Sequence, residues 1–161
     1  MPKLKIYLET TLFNYYFDSD RDAHPDTVQL FEDIASGKYE GYTSYYVIDE
    51  LKRDATDKRE KMLALIPKYD IAVLPNNEDA EELADIYVSE GVIPPRFRTD
   101  GIHIAIASVY ELDMIISMNF QHIVKRKTIR MTTHINALHD YPPIEIFNPM
   151  EVNDNESSES D

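Results

Sequence analysis

No cysteine occurs among the 161 residues, which excludes disulfides, zinc–thiolate sites and cysteine nucleophiles. Long apolar runs are missing too: the longest lies near residues 102–109 and is interrupted by His103, whereas a bilayer span needs about 20 residues. The start of the chain, residues 1–5, lacks the apolar segment of a signal peptide. We therefore expect a cytoplasmic protein with no membrane attachment.

Basic residues are scarce, since 16 Lys and Arg stand against 30 Asp and Glu, and the formal net charge is −14. This charge argues against tight non-specific binding of nucleic acid, because Lys and Arg supply most phosphate affinity. Two features weaken the objection: the segment 151–161 holds five of the acids, and acids around a site are partly neutralised by divalent cations. The notable basic residues are Arg96, Arg98, Lys125, Arg126, Lys127 and Arg130. Residues 125–127 either steer a phosphate backbone or form a solvated turn.

Length and composition fit one globular domain, which we predict over residues 1–150, followed by a disordered acidic tail over 151–161. Short apolar runs alternate with helical stretches, and this alternation predicts βα units with a mainly parallel sheet. Strands are predicted at 4–8, 40–43, 71–74, 114–117 and, at an edge, 144–147. Helices are predicted at 25–37, 44–53, 57–67, 78–90, 100–110 and 128–138. Residues 9–11 are predicted to form a polar turn, and Thr99 to cap the helix that begins at Asp100.

Four side chains with oxygen atoms stand near the ends of predicted strands. Glu9 follows the first strand and Asn119 follows the fourth. Glu50 lies in the helix after the second strand, and Asp100 opens the helix before the fourth. Ligand sites of α/β sheets form beyond the carboxyl ends of the strands, so we expect these residues to gather there. Mg²⁺ and Mn²⁺ prefer oxygen ligands and can promote hydrolysis of a phosphodiester.

Each of these residues also has a purely structural explanation. Glu9 and Asn119 can be turn residues. Glu50 can belong to a solvated charged helix face, and Asp100 can place negative charge at a helix N-terminus. His103 lies one turn after Asp100, so we expect it to be half-buried and to support the site.

Three segments resemble the PIN domain of VapC-like toxins from toxin–antitoxin systems. They are residues 6–13, residues 47–53, and residues 99–107 with their continuation through 115–123. The third segment is similar to the DAxHxAxA … LLTWNFxHI signature of one branch of the family. The resemblance covers roughly residues 4–149.

The resemblance implies a three-layer α/β/α sandwich with a central, mainly parallel sheet, and metal-dependent endonucleolytic cleavage of RNA. It implies that Glu9, Glu50 and Asp100 bind Mg²⁺ or Mn²⁺ and that Asn119 stands where many members place a fourth acid. The resemblance also implies that the chain forms a homodimer and that a protein antitoxin binds it.

Other residues are predicted to assist. Thr10, His103 and His122 would support the site, although His122 is also typical of an exposed loop. Arg96 and Arg98 would contact RNA or the antitoxin.

The chain departs from the family pattern at three positions. Glu9 replaces the more usual Asp, Asn119 lacks a charge, and Gly101 stands where Ala is usual. The uncharged Asn119 weakens any second metal site.

Three alternatives stay open. A catalytically weakened PIN-like module that binds RNA or a protein partner fits the acidic composition and Asn119. A phosphatase of the haloacid-dehalogenase type would need Asp-x-Asp after the first strand, where residues 9–11 are Glu-Thr-Thr. A housekeeping nuclease without an antitoxin is the third.

Overall fold

The computed structural model describes residues 2–160, with side chains through Asp154. Its centre is a five-stranded sheet in the order β3-β2-β1-β4-β5, and every pairing is parallel. The strands are β1 (Leu4–Leu8), β2 (Tyr39–Ser44), β3 (Ala72–Leu74), β4 (Met114–Ile116) and β5 (Glu145–Phe147). All five predicted strands are confirmed to within one residue at each end, including the edge position of the last.

Helices separate the strands in sequence, as the predicted βα alternation requires. They are α1 (Thr10–Tyr15), α2 (His24–Ala35), α3 (Tyr45–Lys52), α4 (Lys58–Lys68), α5 (Glu78–Ser89), α6 (Arg98–Val109), α7 (Arg126–Leu138) and α8 (Pro149–Ser160). The six predicted helices are confirmed to within two residues at each end. Every residue of β4, and the last three of β1, is buried. Because successive side chains in a strand point to opposite faces, both faces of the sheet are covered, as in a three-layer α/β/α sandwich.

Two local predictions around the helix starts are wrong. Residues 9–11 belong to a helix start rather than a turn: the Glu9 side chain accepts a hydrogen bond from the Thr11 amide and so caps α1. Glutamate is an uncommon N-cap, so the residue type gave no signal for a helix here. Thr99 is not a cap either, since a 3₁₀ turn at Pro95–Phe97 leads directly into α6 and places Thr99 inside the helix.

Helix α8 begins at Pro149 and contains the first residues of the acidic segment for which disorder was predicted. Asn148 and Glu151 form a reciprocal cap: Asn148 Oδ1 accepts from the Glu151 amide and Glu151 Oε1 accepts from the Asn148 amide. Val152 is buried, and Asn153 donates to the Asp26 carboxylate at 2.7 Å. The folded part therefore extends beyond residue 150, to at least Asn153.

Helix α6 lies close against α5. A Cβ added at Gly101 would lie 3.3 Å from Ile93 Cδ1 and 3.6 Å from Tyr87 Cδ2, so the glycine permits a tight approach. Most of α6 is buried, which fixes the positions of its polar residues. None of the described helices combines the length and the apolar character needed to cross a membrane.

Candidate active site

Glu9 stands directly after the central strand β1 and is 2% exposed. Its Oε1 atom accepts hydrogen bonds from the Ser117 hydroxyl at 2.6 Å, the Thr11 hydroxyl at 2.6 Å and the Thr11 amide at 3.3 Å. Burial raises the pKa of the Glu9 carboxyl and the charge of Glu50 adds to the rise, while His103 and the hydroxyl donors oppose it. The three donors offset much of the cost of burying a carboxylate.

The same hydroxyls hold the turn after β4. Thr11 Oγ1 accepts from the Met118 amide at 2.8 Å, and Ser117 Oγ accepts from the Asn119 amide at 2.9 Å. Glu9 is therefore tied through two hydroxyl groups to the segment that carries Asn119. Neither hydroxyl was among the predicted site residues; the available signal was that each follows the end of a buried strand.

Glu50 lies on α3 and accepts two hydrogen bonds at its Oε1 atom. The donors are the Thr10 hydroxyl at 2.8 Å and His103 Nε2 at 2.5 Å. The second ring nitrogen of His103, Nδ1, lies 2.7 Å from the Tyr7 hydroxyl, which lies 2.7 Å from Ser44 Oγ. We call this chain from Glu50 through His103 and Tyr7 to Ser44 the buried relay.

The protonation of the buried relay follows from its surroundings. Burial lowers the pKa of His103, but the hydrogen bond and charge of Glu50, followed by the charges of Glu9 and Asp100, outweigh it and leave the pKa raised. Burial likewise pulls the pKa of Glu50 upward, but His103 and Thr10 bring it below its usual range. Glu50 is thus kept ionised beside a histidine that favours its cationic form.

Asp100 lies in the first turn of α6, and its Oδ2 atom is 2.9 Å from His122 Nδ1. The His122 amide donates to Asn119 Oδ1 at 3.0 Å. His122 is buried rather than exposed in a loop, and His103 is completely buried rather than half-buried. Asp100 and Asn119 are therefore both tied to His122.

Glu50 contacts His103 directly, and Glu9 and Asp100 lie close enough for their charges to raise the pKa of its imidazole as well. Each carboxylate has one oxygen in hydrogen bonds, whereas Glu9 Oε2, Glu50 Oε2 and Asp100 Oδ1 accept none within the described part of the chain. Glu9 is buried, whereas the side chains of Asp100 and Glu50 are 15% and 28% exposed.

The donor set suits a hard divalent cation, because carboxylate and amide oxygens are the ligands that Mg²⁺ and Mn²⁺ prefer. Among residues 2–154, however, no three His, Asp or Glu side chains form a ready-made metal cage. An ion held here would complete its coordination with water or substrate oxygens, as Mg²⁺ commonly does. The residues fit a partly hydrated ion and do not fit a fully enclosed one.

The two predicted contact arginines have different surroundings. Arg98 donates from Nε to the Asp85 carboxylate at 2.6 Å and links α6 to α5. Arg96 lies over the Phe97 ring, with 5.3 Å from Cζ to the centroid, and the Phe97 ring lies 4.2 Å from that of His122. Arg96 is thus stacked beside the candidate site, whereas the guanidinium of Arg98 is already engaged.

Comparison with solved structures identifies the architecture. A crystal structure of DNA-bound VapBC from Salmonella typhimurium matches 91% of this chain and 98% of the other, with a TM-score of 0.56 and 15% identity. VapBC2 from Rickettsia felis, bound to a promoter DNA fragment, matches 90% of this chain and 98% of the other, with a TM-score of 0.55 and 13% identity. The chain has the fold of a VapC-like PIN domain. No family model and no curated protein sequence matches it.

At these identities the likeness establishes the fold, and the chemistry must be argued from the side chains. The PIN-like fold places the carboxyl ends of β1, β2 and β4 side by side. Glu9, Ser44 and Ser117 follow or end these three strands, so the candidate site lies at this edge of the sheet.

Proposed function

We propose that the chain is a Mg²⁺- or Mn²⁺-dependent endoribonuclease of the VapC type, working in the cytoplasm as the toxin of a toxin–antitoxin pair. One observation supports the proposal: at the carboxyl edge of a parallel sheet Glu50 contacts His103, the charges of Glu9 and Asp100 also act on this imidazole, and each of the three carboxylates keeps one oxygen without a protein donor. Such an edge is the usual location of ligand sites in α/β folds.

In this proposal Glu9, Asp100 and Glu50 hold the cation, Glu50 directly or through water. When bound, a divalent ion neutralises charge on the phosphate and lowers the pKa of attacking water. The lowered pKa of Glu50 favours a role in holding positive charge or orienting water over a role as a strong base. Asn119 offers an amide for a water molecule or a phosphate oxygen.

Two histidines act as positioning residues in the same scheme. His103 fixes one oxygen of Glu50, and His122 fixes one oxygen of Asp100, so each carboxylate presents its other oxygen in a defined direction. Support of this kind keeps ligands oriented and strengthens metal binding. Water would then attack the scissile phosphate in line, without a covalent intermediate on the protein.

The direct test is Asp100→Asn, assayed for RNA cleavage with Mn²⁺. We expect cleavage to fall by about a hundredfold or more, because stabilisation by a metal is worth several kcal/mol. Asp49→Asn is the matched control, since Asp49 is an exposed acid next to Glu50 on α3. Unchanged cleavage in Asp100→Asn, or equal losses in both variants, would reject the assignment.

A weakened PIN-like module that binds RNA or a protein partner is the second candidate. It is favoured by the uncharged Asn119 and by the missing three-residue cage among residues 2–154. Titration with Mn²⁺ by calorimetry separates the two functions, because only the nuclease must bind the ion at the carboxylates. Assembly as a homodimer and inhibition by an antitoxin belong to the first proposal and are tested by co-expression with the protein encoded by the adjacent gene.

A further inference from the structure

One surface departs from the acidic character of the chain. Residues 119–139 include Lys125, Arg126, Lys127 and Arg130 and no acidic residue, although 30 of the 161 residues are acidic. All four basic side chains are exposed, and none forms an ion pair within the part of the chain that the structure describes. We call these four residues the α7 basic patch.

Helix electrostatics do not explain the position of the α7 basic patch. Helix α7 begins at Arg126, so three of the four cations lie at its N-terminal end, where the helix dipole disfavours positive charge. The first turn holds no acidic residue, and Lys125, at the N-cap, makes no capping hydrogen bond through its side chain. Cations at a helix N-terminus without an acidic partner are unfavourable for the helix. Such an unfavourable arrangement is expected where the residues serve binding.

The α7 basic patch adjoins the candidate active site. The Val124 amide donates to the Asn119 carbonyl at 2.8 Å, and the Thr128 hydroxyl donates to the His122 carbonyl at 2.8 Å. The start of α7 is thus bonded to the turn that contacts Asp100. In the same turn Phe120 is 48% exposed, although it is a large apolar side chain.

A cleft of about 490 Å³ lies along the α7 basic patch. Its lining residues are Val124, Lys125, Arg126, Ile129, Arg130, Thr133 and Glu151. Glu151 is the one acid among them, and its Oε1 atom is occupied by the amide and side chain of Asn148. The cleft therefore offers three cations and two apolar side chains, Val124 and Ile129, to an anionic ligand.

We propose that the α7 basic patch and Phe120 form a track for single-stranded nucleic acid that leads to the acidic site. The inference rests on the proposed function, under which this ligand is RNA. Backbone phosphates would lie on the cations and an unpaired base on the Phe120 ring, the combination that single-strand-binding surfaces use. A base inside a duplex cannot stack on a protein ring, so the exposed ring favours an unpaired strand.

The test measures binding without cleavage. The full chain is titrated in EDTA against a fluorescent, unpaired RNA of about 12 nucleotides, and anisotropy is followed over a series of salt concentrations. The patch variant is K125Q/R126Q/K127Q. Its matched control is K58Q/R59Q/K61Q on α4, which removes the same charge from another helix.

We expect the patch variant to bind the RNA about tenfold more weakly, because it loses three exposed ion pairs with phosphates. The slope of log K against log salt should fall by about two, since each phosphate contact on a single strand contributes about 0.7. Phe120→Ala should weaken binding by about fivefold or more at an unchanged slope, and Phe120→Trp should retain it. The α4 control should keep both affinity and slope.

Equal losses in the two triple variants would overturn the proposal, because overall charge alone would then explain binding. An unchanged slope in the patch variant would do the same. Tighter binding of a polyglutamate peptide than of RNA, lost in the patch variant, would assign the surface to an acidic protein segment instead. If RNA binds as expected but Mn²⁺ produces no cleavage, the nuclease proposal fails while the track stands.

Discussion

Replacement of Tyr7 by Phe removes one hydroxyl from the centre of the buried relay. Tyr7 is completely buried, and its hydroxyl lies 2.7 Å from both His103 Nδ1 and Ser44 Oγ. Burial raises the pKa of this hydroxyl well above its usual value, so it stays protonated and can donate to only one of the two. The ring itself stays, so the packing of β1 is preserved.

The loss of stability follows from the hydrogen bonds that the Tyr7 hydroxyl makes. Two hydrogen bonds are lost, at about 1 kcal/mol each, and His103 Nδ1 remains buried without a partner, which adds about 1–2 kcal/mol. Ser44 Oγ keeps the bond that it accepts from the Val47 amide. We expect the free energy of unfolding to fall by about 3–4 kcal/mol, and the Tm by roughly 6–16 °C for a chain of this size.

Tyr87→Phe is the matched control. Tyr87 is also completely buried, and its hydroxyl donates to Asn136 Oδ1 at 2.5 Å, away from the three carboxylates. Both variants should be less stable in guanidinium titrations with EDTA. Only Tyr7→Phe should weaken Mn²⁺ binding by calorimetry, by roughly tenfold, because only the buried relay orients Glu50. A Tyr7→Phe protein with wild-type stability, or equal losses of Mn²⁺ affinity in both variants, would refute this reasoning.

Three further predictions concern the same site. Ser117→Ala removes a donor from Glu9, so the unfolding free energy at pH 7 should fall by about 1–3 kcal/mol and the pKa of Glu9, followed by NMR, should rise further. Asn119→Asp should tighten Mn²⁺ binding by calorimetry if this side chain faces the ion, and an unchanged affinity would place it elsewhere. In EDTA, the raised pKa of His103 gives stability that is complete below about pH 6.5 and is lost as pH rises through the folded-state pKa, whereas the lowered pKa of Glu50 gives stability that is lost in acid. Guanidinium titrations of the wild type should show that the free energy of unfolding declines both in acid and above about pH 6.5. In His103→Gln the decline above about pH 6.5 should be smaller.

The sequence predicted the strands well because their signals are local. The run that forms β4 is apolar at every position, as expected for a strand buried on both faces. Ser44, where the helix over residues 44–53 was predicted to begin, accepts from the Val47 amide and caps α3. Thr10, predicted to support the site, donates to Glu50.

Several features that the sequence did not predict depend on contacts between distant residues, although the cap at the start of the tail is local. The tail is acidic enough to suggest disorder, but the buried Val152 and the reciprocal cap at Asn148 make its start helical. Tyr7 could not be recognised from the sequence as part of the site, because its partners lie 37 and 96 residues away. Ser117 was not recognised for the same reason, because its partner Glu9 lies 108 residues away in sequence.

The arrangement of charge explains how so acidic a chain could act on a polyanion. Three carboxylates around one site repel a phosphate, and the cationic form of His103 offsets only part of that repulsion. A divalent cation would remove more of it. The segment that links the acidic site to the α7 basic patch runs from Ser117 to Val124 and is bonded at its start to Glu9 and further along to Asp100. The acidic site and the α7 basic patch are therefore joined by one hydrogen-bonded segment, and in the proposed function one strand of RNA would be bound by the cations while another of its phosphates lies at the carboxylates.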